Sequence, residues 1–159
     1  MVESTSDRSR PPLANVFTLG VRDLRRQRQF YRDLGLPQIV DDADFAAFEL
    51  RGAVLALFPV TKLAADGNGE PELGRGGIRF TIGIVVPSAA EVDCLTDRFR
   101  AAGGRVTKEP VDAEFFTGRS AYVADTEDNF FEIVWAEPDN AILAGAYRAA
   151  RETPPVPPG

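Results

Sequence analysis

In the stretch DNFFEIVW, Asp128 to Trp135, one carboxylate lies inside an otherwise apolar run: Glu132, with Phe130-Phe131 before it and Ile133-Val134-Trp135 after it. A carboxylate so placed has three uses. It can be a structural charge held by a neighbouring arginine or hydroxyl, with Arg79 or Thr18 as partner, because burial without a partner raises its pKa instead. It can receive the cationic or hydrogen-bond-donating end of a ligand. It can also be a general base, its pKa raised by apolar surroundings. The residue alone leaves all three open. The chain contains no histidine, which removes Ser-His-Asp and Cys-His nucleophilic systems, imidazole acid–base chemistry and imidazole metal ligands together. Cys94 is the single cysteine. It cannot make an internal disulfide, which suits a reducing compartment. Beside Val92 and Leu95 in a predicted helix, it reads as a small packing residue.

Phe45, Phe48, Phe58, Phe115, Phe116, Tyr122 and Trp135 could stack a planar ligand or fill a core. Alternation along their strands assigns Phe58 and Trp135 to the core. Phe116, just before Thr117-Gly118, is the candidate for a pocket rim. The run GNGEPELGRGG lacks the Gly-Lys-Ser/Thr ending of a phosphate-cradling loop, and its glutamates would repel phosphate. Arg25, Arg26, Arg28 and Arg32 spread around one predicted helix as a solvated face.

The elements that must position these residues repeat. FTLGV at Phe17–Val21 recurs as FTIGI at Phe80–Ile84. Each copy begins a strand. Each is followed by a helix: the first has Asp23 as N-cap, Tyr31 and Leu34 on one face, and Gly35 as its stop. The second opens with Ser88 and Glu91 as a capping box, carries Val92, Leu95, Phe99 and Ala102 at helical spacing, and ends at Gly103-Gly104. Three strand-like runs follow each helix: PQIV, FAAFEL and AVLALF in the first half, RVTKEP, RSAYVAD and NFFEIVW in the second. The same order around the same echo is the mark of duplication.

The fold expected is therefore α+β: two tandem βαβββ units forming an eight-stranded, cup-shaped mixed sheet with helices on its outer face. Residues 13–148 make one domain, with halves at about 13–60 and 77–138. A loose arm precedes it at 1–12 and a Pro-rich tail follows at 149–159. Residues 61–77 form a Gly-rich connection with one helical turn at its start. Side-chain alternation puts Phe17, Leu19 and Val21, and likewise Phe80, Ile82 and Ile84, toward the helices. The small and polar residues then line the cup. With Phe116 at its rim and Tyr122 as a stacking ring, the candidate ligand-binding residues are Thr18, Arg79, Thr81, Phe116, Tyr122 and Glu132, with Glu132 also the candidate catalytic group.

Composition narrows the partners. At 44% hydrophobic and 26% charged residues, the 159-residue chain has the make-up of a globular domain. Eighteen basic against 24 acidic residues give a net charge of −6 and a pI near 4.7. That field repels phosphate backbones and anionic lipid, so neither nucleic acid nor membrane is expected as a partner. No apolar run is long enough to span a bilayer and the N-terminus has no apolar leader, so the cytoplasm is the expected location.

FTLGVRDLRRQRQFYRDLGL at 17–36, VLALFP at 54–59 and GRSAYVADTEDNFFEIVWAEP at 118–138 together resemble the vicinal oxygen chelate superfamily, which includes glyoxalase I, extradiol dioxygenases, fosfomycin-resistance enzymes and bleomycin-resistance proteins. The resemblance covers roughly residues 15–138. It implies metal ligands on the first and last strands of each half, at positions corresponding to Val16, Leu55, Arg79 and Glu132. Three of these are not metal-ligand residues, so no metal or other cofactor is expected. In place of the superfamily's Asp-Pro-Asp-Gly turn stands Asp125-Thr126-Glu127-Asp128-Asn129, with Asn129 able to take positive φ. The resemblance also implies a homodimer. It points first to a metal-independent protein that binds or sequesters a small molecule of cationic or aromatic character. The alternatives are a lyase or isomerase using Glu132 as base, a metal-dependent glyoxalase or dioxygenase, or a fold kept only as an interaction surface.

Overall fold

A computed structural model of the protein describes residues 13–74, 81–114 and 116–153. The expected arm, most of the tail, Phe115, and the segment that includes Arg79 and Phe80 lie outside them. The first half runs β1 (Val16–Val21), α1 (Leu24–Asp33), β2 (Gln38–Asp41), β3 (Ala46–Leu50), β4 (Ala53–Pro59) and then α2 (Val60–Asp66). The second runs β5 (Ile82–Val85), α3 (Ala89–Ala101), β6 (Arg105–Asp112), β7 (Gly118–Ala124), β8 (Phe130–Ala136) and α4 (Ala141–Ala149). The βαβββ repeat is present in both halves. Its eight strands form two four-stranded mixed sheets, ordered β1-β4-β3-β2 and β5-β8-β7-β6, and the sheets are not closed into a barrel.

The caps follow from the sequence. Asp23 accepts from the Arg26 amide at 3.0 Å and Ser88 from the Glu91 amide at 3.3 Å, each satisfying an amide that the helix itself cannot. Gly35 and Gly103 close the two helices with φ of 89° and 95°, where a side chain would be strained.

Both sheets turn one face to a shared core. Leu19, Val21, Leu55 and Leu57 of the first half join Ile82, Ala121, Val123, Phe131 and Ile133 of the second in one buried cluster with Phe30, Tyr31, Val92 and Phe99 of the helices. The two helices meet there, Phe30 lying 6.0 Å from Phe99, and α1 reaches β8, Tyr31 lying 6.4 Å from Phe131, ring centre to ring centre. Trp135 packs against this cluster as expected. Phe58 does not join it. It lies on the opposite face of β4 from Leu55 and Leu57 and meets the Phe45 ring edge-on at 5.8 Å.

A polar latch ties the halves together. Asp125, 2% exposed, accepts from Gln27 Nε2 and Tyr31 Oη of α1, both at 2.7 Å. It also accepts from the Glu127 and Asn129 amides and from Asn129 Nδ2. Glu127 in the same turn receives the Arg22 amide at 2.8 Å and its side chain at 3.0 Å. The turn survives its altered sequence by a different residue from the one expected: Asp128, not Asn129, takes the positive φ, at 63°, while Asn129 is bonded back to Asp125. Two further expectations change. Cys94 is exposed, because the buried stripe of α3 runs through Val92, Thr96 and Phe99 and position 94 falls beside it. A helix not read from the sequence, α4, follows β8, capped by Asn140.

Candidate functional site

Residues that alternate with the core side chains of β5, β7 and β8 must turn to the other face of that sheet. The pairing register places Gly83 beside Glu132 on the parallel β5–β8 ladder. Tyr122 stands opposite Glu132 between β7 and β8, and Lys108 stands opposite Tyr122 between β6 and β7. Directly paired residues present their side chains to the same face, so Gly83, Glu132, Tyr122 and Lys108 form one row across the sheet.

Glu132 and Tyr122 are half-buried, while Lys108 and Gly83 are exposed. Burial first, then the charge of Glu132 and the hydrogen-bonding reach of its carboxylate, hold the Tyr122 phenol above its ordinary range. The Lys108 ammonium sits 5.7 Å from the centre of the Tyr122 ring, a cation–π distance. A methyl group placed on Gly83 would meet none of the described residues within 4 Å, so among them the surface beside Glu132 is open. In the next row the two central positions are buried, Ser120 at 3% and Val134 at 9% exposed, while Val111 at its β6 end is exposed. Phe116, the expected rim residue, lies with its ring over Gly118 at the far end of β7.

Of the candidate residues, the sheet thus brings Tyr122 and Glu132 into contact range and sets Phe116 further along. Thr18 belongs to the other sheet, opposite Ala56. Thr81 is half-buried just ahead of β5. Arg79 lies outside the described residues. The sequence alone does not single out Gly83 or Lys108. Gly83 shows itself only through the space above it, and Lys108 follows a break in the β6–β7 register, so simple alternation along β6 does not locate it.

The ladders also correct one correspondence. Leu19 pairs with Leu57 and Gly20 with Phe58. In the second half Ile82 pairs with Phe131 and Gly83 with Glu132. Since Leu19-Gly20 and Ile82-Gly83 are equivalent in the echo, the first-half counterpart of Glu132 is Phe58. Leu55 is instead fully buried in the core. Matching the two strands from their first residues misplaces the counterpart by three positions, because the turns that precede them differ.

A divalent ion finds little here. Zinc takes about four N, O or S donors and harder ions about six oxygens. The positions available are Val16, which is 63% exposed, Phe58 and Glu132. Among the described residues no group of three or more Cys, Asp or Glu side chains could hold a metal. That donor set does not fit the superfamily's metal.

The sequence profile of the Glyoxalase/Bleomycin resistance protein/Dioxygenase superfamily matches residues 14–133. The chain belongs to this superfamily. A glyoxalase-related enzyme from Fulvimarina pelagi is 27% identical, with a TM-score of 0.68 over 76% of this chain and 86% of its own. A glyoxalase/bleomycin resistance protein/dioxygenase from Nocardioides is 25% identical, with a TM-score of 0.66 over 80% and 85% of the two chains. A fosfomycin resistance protein from Listeria monocytogenes, solved with manganese and sulfate, is 21% identical at a TM-score of 0.60, covering 84% of this chain and 97% of its own; it shares the fold. No match was found among curated protein sequences. Within the superfamily plan, then, this chain keeps one carboxylate on the last strand of its second half and an aromatic ring at the same place in its first. No helix among the described residues is long and apolar enough to cross a membrane.

Proposed function

We propose that this superfamily member binds or sequesters a small molecule without a metal, and that Glu132 receives the cationic or hydrogen-bond-donating end of that molecule. The reading rests on Glu132 itself. It is half-buried beside open space at Gly83, and among the described residues no arginine or lysine forms an ion pair with it. A carboxylate held that way is already partly stripped of water, so a donor that reaches it gains a charge-assisted hydrogen bond at reduced desolvation cost. The proposal includes a cytoplasmic homodimer. The dimer is supported by β1, an edge strand with Val16 exposed on it, since such edges are usually covered. A monomer mass by light scattering at micromolar concentration would remove it.

A second reading has one observation in its favour. The Tyr122 phenol, which holds its proton more tightly than usual, stands against Glu132. A proton donor beside a proton acceptor is the arrangement of a lyase or isomerase site.

Thermal shift separates these readings. The plate holds zinc, manganese and nickel beside cationic and aromatic organic compounds. The expected result is a saturable rise in Tm with an organic compound and none with the metals, the rise falling in Glu132→Gln. A rise with a metal that Glu132→Gln abolishes would overturn the reading. A Glu132→Gln protein that binds as tightly as wild type but no longer turns its ligand over would move the assignment to the enzyme.

A further inference from the structure

The row across the second sheet carries opposite charges on two of its strands, Glu132 on β8 and Lys108 on β6, with the Tyr122 ring between them. Adjacent strands are about 4.8 Å apart, so the two charged residues stem from points about 10 Å apart. Neither has an ion-pair partner among the described residues. The ring between them is an apolar, half-exposed surface. Among the described residues Gly83 leaves the far side of Glu132 clear, and on one flank buried Ser120 and Val134 lie beside Tyr122 and Glu132, with exposed Val111 beside Lys108. A bare carboxylate would accept any cation. A carboxylate, a flat ring and an ammonium in line select more narrowly.

We infer that the ligand of this face is amphoteric: an elongated molecule with an amine over Glu132 and Gly83, an apolar or aromatic middle against Tyr122, and a carboxylate or similar acid at Lys108. This rests on the small-molecule reading above and gives it a ligand class. The physical reason is complementarity of charge along a line. An amine alone satisfies Glu132 but leaves Lys108 in water. An acid alone meets Lys108 but brings its charge toward Glu132, which repels it. The zwitterion gains at both ends and stacks between them. The Lys108 ammonium, now on the Tyr122 ring, is an exposed end group that can swing from the ring to an arriving acid without disturbing the sheet.

The test uses three probes on the full chain: 3-[4-(2-aminoethyl)phenyl]propanoate, which carries both groups, 2-phenylethylamine, which carries the amine, and 3-phenylpropanoate, which carries the acid. Affinities come from isothermal titration, with Glu132→Gln, Lys108→Gln and the double variant alongside wild type. Both single substitutions lie on an open face and leave the core untouched. Wild type is expected to bind the two-headed probe about tenfold more tightly than the amine and to bind the acid most weakly. Lys108→Gln should bring the two-headed probe down to the level of the amine. Glu132→Gln should remove the advantage of the amine over the acid. If the amine and the two-headed probe bind wild type equally, and both lose affinity only in Glu132→Gln, the amphoteric class is wrong and the small-molecule reading stands. The amphoteric class is equally wrong if other compounds bind in a Glu132-dependent way and these three do not. If nothing on the plate or in this set binds with any dependence on Glu132, both fall.

Discussion

Gly20 and Gly83 hold the same place in the two halves, yet their surroundings are opposite. A side chain at Gly20 would run into Val60 at 3.0 Å and Leu63 at 3.3 Å, because α2 lies across the outer face of β1. A side chain at Gly83 would meet none of the described residues. The residue paired with each glycine differs in the same sense: Phe58, in contact with Phe45, in the first half, and Glu132, beside Tyr122, in the second. The cause is the chain that follows each last strand. In the first half α2 begins at Val60 directly after β4 and folds back onto its own sheet. In the second, Glu137 to Asn140, with Pro138 among them, separate β8 from α4. That spacer sends α4 to the turn between β3 and β4 of the other half. There Arg51 stands 5.9 Å from the Tyr147 ring and 3.1 Å from Glu152. One sheet face has become packing surface, while at the matching place in its copy no described residue lies over the glycine.

The latch at Asp125 makes the largest test of this division. It belongs to the second half by sequence, but its bonds run to Gln27 and Tyr31 in the first, on the core side. Asp125→Ala would strand those donors together with the Asn129 side chain inside the fold. The expected loss is about 3–5 kcal/mol, read as a lower urea midpoint. Ligand affinity of the fraction that remains folded should be unchanged. A loss of affinity with little loss of stability would put Asp125 in the site and undo the separation of faces.

The paired glycines give a finer comparison. Gly20→Ala overpacks the contact with α2 and should cost about 1–3 kcal/mol. Gly83→Ala meets no obstacle and replaces a poor strand residue, so stability should move by no more than about 0.5 kcal/mol, in either direction. Binding should reverse the order, because the new methyl at Gly83 enters the surface beside Glu132 whereas the one at Gly20 is remote from it. Equal destabilisation by the two substitutions would mean that both faces are covered.

Much of this is legible in the sequence, for reasons that also explain the failures. The FTLGV and FTIGI echo encodes strand, face and order at once, and Leu19, Val21 and Ile82 fall on the core side as alternation requires. Tyr122 and Glu132 stand out because each interrupts an apolar alternation on a strand that must bury its other face. What fails is anything that depends on counting across a turn. Counting along β4 from its first residue sends Phe58 to the core and Leu55 to the cup, whereas the ladder to β1 sets the correspondence the other way. The glycine-like turn position goes to Asp128 rather than Asn129 because the Asp125 carboxylate claims both the amide and the side chain of Asn129. The openness at Gly83 is not legible at all, since it depends on where a helix more than fifty residues away comes to rest.

The smallest expected effect compares two phenols. Tyr31 donates to Asp125 in the core and Tyr122 stands against Glu132 at the open face. Burial, followed by the neighbouring carboxylate, raises both above the ordinary tyrosine value, Tyr31 well above it. A phenol whose folded pKa is raised keeps its proton longer in the folded state than in the unfolded one. Its contribution to stability is therefore complete below pH about 10, the ordinary value, and is lost as pH climbs from there through the folded value. For Tyr31 that loss should coincide with unfolding, because no water reaches the group to receive its proton beforehand. Tyr122 should ionise while the protein is still folded, seen as a reversible rise in phenolate absorbance without loss of tertiary circular dichroism. Glu132→Gln should bring that titration partway back toward the ordinary value, since the charge is gone and the burial remains. Tyr122→Phe should remove the step while leaving the alkaline unfolding midpoint nearly where it was. If Tyr122 instead ionises only on unfolding, its face is as closed as that of Gly20, and the ligand site must be sought elsewhere.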